Sequence, residues 1–340
     1  MNLNNRWKRI CFKLKHNLPQ ASLRLLSKPP VSSVGTLSLS TVGLSLLLLS
    51  GSIRLSASAI ASEQLAQSLP ALKPTQPAAV EQLNQGIAFV QQGKLPEAIA
   101  AFRQASQLNP QLAPAHYNLG LALRQSGQLQ ASADAFYKAT QADPNFALAF
   151  ANLGATLLEG NNLSLARDYL ARALELDPNL GVAHYNYGLV LSKLGELDQA
   201  IAQFKSAMQF SSNAPEPAYH LGLTYLQQGK IEEAKKALER SLKISPQYPE
   251  AHYSLGSILF KQGDFDAALE AFRKSAESNS NYANAYYGAG LVFLRQNRFS
   301  DAQQVLQYAK DLYRAQGNAQ WAAKAEELLD GSSPARGNFR

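Results

Sequence analysis

Acidic residues are missing from the first 61 positions, which hold eight Lys or Arg (Arg6, Lys8, Arg9, Lys13, Lys15, Arg24, Lys28, Arg54). Those eight explain the net charge of +7: of 32 basic and 25 acidic residues in the whole chain, 24 and 25 remain once they are set aside, a balance of −1. The body is therefore not basic, and the total charge argues for no nucleic-acid surface, which needs cations clustered on the folded domain. Cysteine is nearly absent. The single one, Cys11, lies in the basic leader, so the rest of the chain has no disulfide or thiol chemistry. HExxH, P-loop, GxSxG and CxxC motifs are also missing, and no catalytic, metal-binding or cofactor-binding constellation is legible.

Long apolar runs are scarce. The best, Val34 to Ile53, has 20 residues, enough to cross a bilayer, but seven are Ser or Thr. The order of basic region, apolar stretch and small residues "ASAIAS" is that of a secretory signal, with Ala59 and Ala61 ending the candidate cleavage motifs. Two outcomes follow from residues 1–61. They are removed, or they stay as an anchor through 34–53, which would then be the only membrane contact. Both leave the basic end in the cytoplasm and the remainder outside it, in the periplasm or another extracytoplasmic compartment. Residues 62–78, rich in Gln and Pro, read as a flexible spacer.

What the body does have is a period. Glycine recurs at Gly86, Gly120, Gly154, Gly188, Gly222, Gly256 and Gly290, 34 residues apart without interruption. Such a period signals a solenoid or array. Each copy contains two stretches with apolar residues at helical spacing, such as Tyr117, Leu121 and Ala122, then Leu129, Ala133 and Phe136. Between them stand Gly93, Gly127, Asn161, Gly195, Gly229, Gly263 and Asn297, the residue types that tolerate a left-handed helix end. Pro110, Pro144, Pro178 and Pro246 stop the second stretch; Ser212, Ser280 and Arg314 replace them in other copies. A glycine inside a helix costs about 1 kcal/mol, so the marker glycines imply close helix approach. The small residues 12 positions on (Ala98, Ser132, Ala166 and equivalents) supply the other side, and Phe or Leu four further on fills the space between neighbouring pairs.

This pattern resembles the tetratricopeptide repeat over about Ala79 to Arg314. The resemblance implies an all-α fold: a right-handed α-solenoid superhelix of about seven helix–turn–helix units (79–316). Residues 317–330, with Asn318 as N-cap and Trp321, Ala325, Leu328 and Leu329 in one stripe, are expected to form a capping helix, and 331–340 a disordered tail.

His116, His184 and His252 occupy one register on different repeats, which points to helix packing rather than a metal or acid–base site. Lysine is absent three residues before every marker glycine, where some family members grip a C-terminal carboxylate, so that clamp is not expected. Two residues before each glycine runs another column: Asn84, Asn118, Asn152, Asn186, His220 and Ser254, broken by Gly288. The resemblance places it on the inner wall, where asparagine amides can hold an extended peptide backbone. Tyr117, Tyr185, Tyr219, Tyr253 and Tyr287 stand beside it. Asparagine here also belongs to the repeat consensus, with the neighbouring helix as its partner. The expected function is a non-catalytic protein-interaction scaffold of the cell envelope, needing no cofactor and binding a peptide or protein partner. The alternative is an accessory subunit of an envelope glycosyltransferase or polysaccharide-export complex.

Overall fold

The computed structural model describes residues 77–331. The leader 1–61 with Ala59 and Ala61, the spacer up to residue 76 and the tail 332–340 lie outside the described residues. Those described form an all-α solenoid of helices packed in pairs, in two compact units, 77–229 and 230–331.

The first unit holds α1 (Pro77–Gln91), α2 (Leu95–Leu108), α3 (Ala113–Gln125), α4 (Leu129–Ala142), α5 (Ala147–Glu159), α6 (Leu163–Leu176), α7 (Gly181–Lys193), α8 (Leu197–Phe210) and α9 (Glu216–Gln227). The second holds α10 (Ile231–Ile244), α11 (Pro249–Lys261), α12 (Phe265–Ser278), α13 (Ala283–Arg295), α14 (Phe299–Ala315) and α15 (Ala319–Gly331). In each unit a first helix packs on its own second helix, and that second helix packs on the next first helix.

The turns follow from backbone chemistry. Gly127 has φ +78° and Asn161 φ +59°. Beyond each, the chain donates back to a helix carbonyl: Gln128 N to Leu123 O at 2.9 Å, and Asn162 N to Leu157 O at 2.8 Å. These bonds satisfy carbonyls that the helix end would leave open. Between repeats, Asn109, Asp143 and Asp177 each accept from the backbone N–H two residues on, at 3.0 Å, just where proline ends the helix. α14 runs to 17 residues against 14 for α12, although both lack that proline, with Arg314 and Ser280 in its place. Pro215 and Pro217 delay and shorten α9 to 12 residues.

The marker glycines meet the small residue of their own pair, as Ala166 O lies 3.1 Å from a Cβ at Gly154, but they meet the bulky one more closely. A Cβ at Gly120 would come within 2.7 Å of the Phe136 ring, and one at Gly154 within 2.5 Å of Leu170 Cγ. The bulky residue, more than the small one, seats on the glycine of its own pair. It also reaches the next repeat: Phe272 lies 2.7 Å from a Cβ built at Gly288, so the column breaks there because no side chain fits. The small residue adds a bond of its own in the second repeat, where Ser132 Oγ donates to Gly120 O at 2.8 Å.

Both ends of the array are closed by residue choice. In α1, Glu81, Gln82 and Gln85 occupy the registers at which α3 buries Ala115, His116 and Leu119, so α1 meets solvent where α3 meets α2. At the other end Asn318 Oδ1 accepts from Trp321 N at 3.3 Å and starts α15. Trp321, Leu328 and Leu329 pack half-buried on the α12–α14 core, with Ala322 in it. Lys324 stands at the marker-glycine register and lies 4.2 Å over the Trp321 ring. A long side chain there leaves no seat for a further second helix. Among the described residues, no helix is long and apolar enough to cross a membrane.

Candidate functional site

First helices of successive repeats touch: α5 with α7 and α7 with α9 in the first unit, α11 with α13 in the second. The column of asparagines and tyrosines lies on them, and its members fare differently.

In the first unit Asn84 is exposed, whereas Asn118 and Asn152 retain 4% and 3% of their exposure. Each buried amide bonds its own helix one turn back: Asn118 Nδ2 donates to Pro114 O at 2.8 Å and Asn152 Nδ2 to Leu148 O at 3.0 Å. Half-buried Asn186 does the same to Val182 O at 2.9 Å. Asn152 goes further. Its Nδ2 also donates to the Tyr117 hydroxyl at 3.2 Å, and its Oδ1 accepts from Arg124 Nη1 at 3.4 Å. Arg124 is ion-paired with Glu159. Tyr117, Arg124, Asn152 and Glu159 thus knit α3 to α5, and both N–H groups of the Asn152 amide are engaged. The pair Arg124–Glu159 was not singled out from sequence; opposite charges 35 residues apart at the C-terminal ends of consecutive first helices were the available signal.

The tyrosines are packing residues to different degrees. Tyr117 and Tyr219 are buried; Tyr185 is half-buried. Burial above all holds the Tyr117 and Tyr185 hydroxyls well above the ordinary phenol range; Arg124 and the Asn152 bond oppose it at Tyr117, and Glu216 and Tyr219 reinforce it at Tyr185. His220 takes the asparagine register on α9 and fits among rings: Tyr219 at 5.0 Å, Tyr185 at 5.7 Å and Phe204 at 6.0 Å. That burial pushes its imidazole down to about 4. In the second unit Tyr253 contacts Phe272 and Tyr282, and Tyr287 meets Trp321 edge-on at 5.4 Å. Burial raises both hydroxyls. Ser254 Oγ is buried without a hydrogen-bond partner.

The other three histidines among the described residues have one shared role. Nε2 of His116, His184 and His252 donates to the carbonyl of Pro110, Pro178 and Pro246, at 3.0, 2.9 and 2.9 Å. Each ring staples a first helix to the end of the preceding second helix. Among the described residues, no three His, Cys, Asp or Glu side chains gather as a metal site.

Comparison with known proteins fits this geometry. The family model for the Cilia and flagella-associated protein 70 C-terminal domain matches residues 49–290, and a tetratricopeptide-repeat model matches 259–330. The chain belongs to this tetratricopeptide-repeat family, whose domains are typically non-catalytic. Among solved structures, a tetratricopeptide repeat protein from Parabacteroides merdae is 18% identical, with 76% of this chain and 99% of that chain aligned at a TM-score of 0.58. A chain of the Cut9–Hcn1 hetero-tetramer of APC/C is 19% identical, with 71% of this chain and 46% of that one aligned at 0.57. Both show the fold. No curated protein matches the chain.

Proposed function

We propose that this chain is a non-catalytic scaffold that holds an extended peptide segment of a partner protein along its first-helix face, outside the cytoplasm at the cell envelope. One observation carries the binding reading. Asn118 and Asn186 each tie Nδ2 to their own helix, which fixes the amide plane, while Oδ1 accepts no bond from the described residues. A fixed amide with a free acceptor suits a peptide N–H, because little side-chain freedom is lost on binding. Asn152, whose Oδ1 already accepts from Arg124 and whose Nδ2 also holds Tyr117, has a structural role instead. Half-buried Tyr185 offers contact area beside Asn186. The basic, apolar and small-residue order of the leader supports export.

The test is to pan a displayed random-peptide library on the full chain, then compare an enriched peptide on wild type and on Asn118→Ala with Asn186→Ala. Loss of two hydrogen bonds predicts about tenfold or greater weakening with unchanged helical circular dichroism. Equal affinity would remove these amides from the binding site. N-terminal sequencing of protein from the native host tests export: a start at Ile60 or Ser62 is expected on cleavage and Met1 in the membrane fraction on anchoring, while soluble cytoplasmic protein overturns both.

A further inference from the structure

The second helices α4 and α6 carry large residues that the repeat does not ask for. Tyr137 is 46% exposed and Leu165 44%. At the register of Tyr137 the other repeats hold Arg103, Ala171, Lys205, Glu239, Arg273 and Gln307; at that of Tyr169 they hold Ala, Gln or Val. Tyr169 packs on Phe150 with ring centroids 6.3 Å apart. It lies near Tyr137: burial first, then Tyr137 and Asp168, hold its hydroxyl above the ordinary range. Charges flank this patch in a regular order. Along α4 come Asp134, Tyr137 and Lys138; along α6, Asp168, Tyr169 and Arg172. All four charged residues are exposed.

Pairing within each helix accounts for Arg172 alone among these four charges. Asp134 accepts from Gln130 at 3.0 Å, and Arg172 pairs with Glu175 at 2.9 Å. Neither Lys138 nor Asp168 makes an ion pair among the described residues. The two helices are successive second helices and run the same way, so both acids lie along one edge of the tyrosines and both bases along the other. A two-fold axis through the tyrosines, normal to the surface, reverses that order and sets acid edge against base edge. The patch is complementary to itself, which is the condition for an isologous contact.

We propose that the outward face of α4 and α6 is a self-association surface, on which a second copy of this chain docks in antiparallel orientation. Tyrosine and leucine supply the buried centre, and the Asp134/Asp168 and Lys138/Arg172 edges set the direction. Two helix faces make a small interface, so the dimer belongs to the weak class: formed at about 100 μM and dissociated near about 1 μM. Exposed charges are screened within about 3 Å at 1 M salt, so high salt weakens it.

Sedimentation velocity of the full chain across that concentration range tests the idea. Dimer should appear in wild type and disappear in Tyr137→Ser with Leu165→Ser, whose exposed positions leave the helical signal unchanged. One chain carrying Asp134→Lys and Asp168→Lys, and another carrying Lys138→Asp and Arg172→Asp, should each be monomeric alone. Mixed in equal amounts they should dimerise again. A wild type that is monomeric throughout, a dimer that survives the serine or charge substitutions, or a mixture that stays monomeric each overturns the proposal.

Discussion

The Asn152 amide donates to the Tyr117 hydroxyl at 3.2 Å, across the step from one repeat to the next. The bond turns two columns of the sequence into one inter-repeat link, and Arg124 completes it. Asn152→Ala leaves the Tyr117 hydroxyl without this partner, and a buried polar group so stranded costs about 1–3 kcal/mol. Tyr117→Phe removes one of two acceptors from Asn152 Nδ2 and should cost less, about 0.5–1.5 kcal/mol. Urea titration of both single variants and the double variant measures the coupling. A double variant whose loss equals the sum of the two singles would show that the bond contributes nothing.

Acid should loosen the first unit through His220. Its imidazole is pushed from the ordinary 6.5 down to about 4 by burial among Tyr185, Phe204 and Tyr219. Above pH 6.5 the ring is neutral in both folded and unfolded chains, and its contribution is whole. As pH falls from 6.5 towards 4 the unfolded chain takes up a proton that the folded chain refuses, so stability declines, by about 3 kcal/mol in all. His116 and His252, lowered mainly by burial, act in the same direction. His220→Asn, which restores the residue of the earlier repeats, should flatten the fall in melting temperature between pH 6.5 and 4. An identical pH profile in the variant would rule His220 out as its cause.

Two glycines of one repeat should respond to asparagine in opposite ways. At Gly127, φ is +78° with open space around the Cβ position, the conformation that Asn161 and Asn297 adopt in other repeats. Gly127→Asn should therefore shift the melting temperature little. At Gly120 the φ is ordinary, but a Cβ would lie 2.7 Å from the buried Phe136 ring. Even alanine there sets an overpacking cost of about 1–3 kcal/mol against a helix-propensity gain of about 1 kcal/mol. Gly120→Asn should lower the melting temperature by several degrees. Equal responses would mean that the Phe136 ring yields and that crowding sets no cost at Gly120.

The same contrast marks what the sequence makes legible. Period and turn chemistry are written in residue identity: Gly127 and Asn161 turn because few other residues adopt positive φ, and the helix pairs follow. The length of α14 does not follow, since Ser212 and Ser280 also stand in for the proline and α8 and α12 still end after 14 residues. Side-chain direction is not written there. Spacing puts Asn118, Asn152 and Asn186 on one face of the first helices. It does not reveal that each amide turns back to its own helix, nor that Asn152 also bonds a tyrosine and an arginine of the preceding repeat. Tyr117 and Tyr185 share a register yet differ in exposure, because Phe146 closes on Tyr117 with ring centroids 4.8 Å apart. The staples were closer to legible: each of His116, His184 and His252 follows a proline by six residues. Tyr137 is legible as part of the apolar spacing of α4, but its exposure is not, and Tyr169 stands where four other repeats bury alanine.

The last helix should be the first to leave. α15 packs on α14, and only Ala322 and Ala325 of its residues are fully buried. Its anchor is Trp321, edge-on to Tyr287 at 5.4 Å and 6.0 Å from Tyr313, with Lys324 over its face. In an array whose elements contact only nearby elements, a terminal helix covered on one side has a small free energy of opening. Trp321 reports that opening directly, because the chain has two tryptophans and the other, Trp7, lies in the leader. With Trp7→Phe, the emission of Trp321 should shift to the red on heating before the helical circular dichroism is lost. Trp321→Ala removes a half-buried ring and its aromatic contacts, worth about 1–3 kcal/mol, and should bring the loss of α14 helicity to lower temperature. Fluorescence and circular dichroism transitions that coincide would show instead that α15 melts as one with the core it covers.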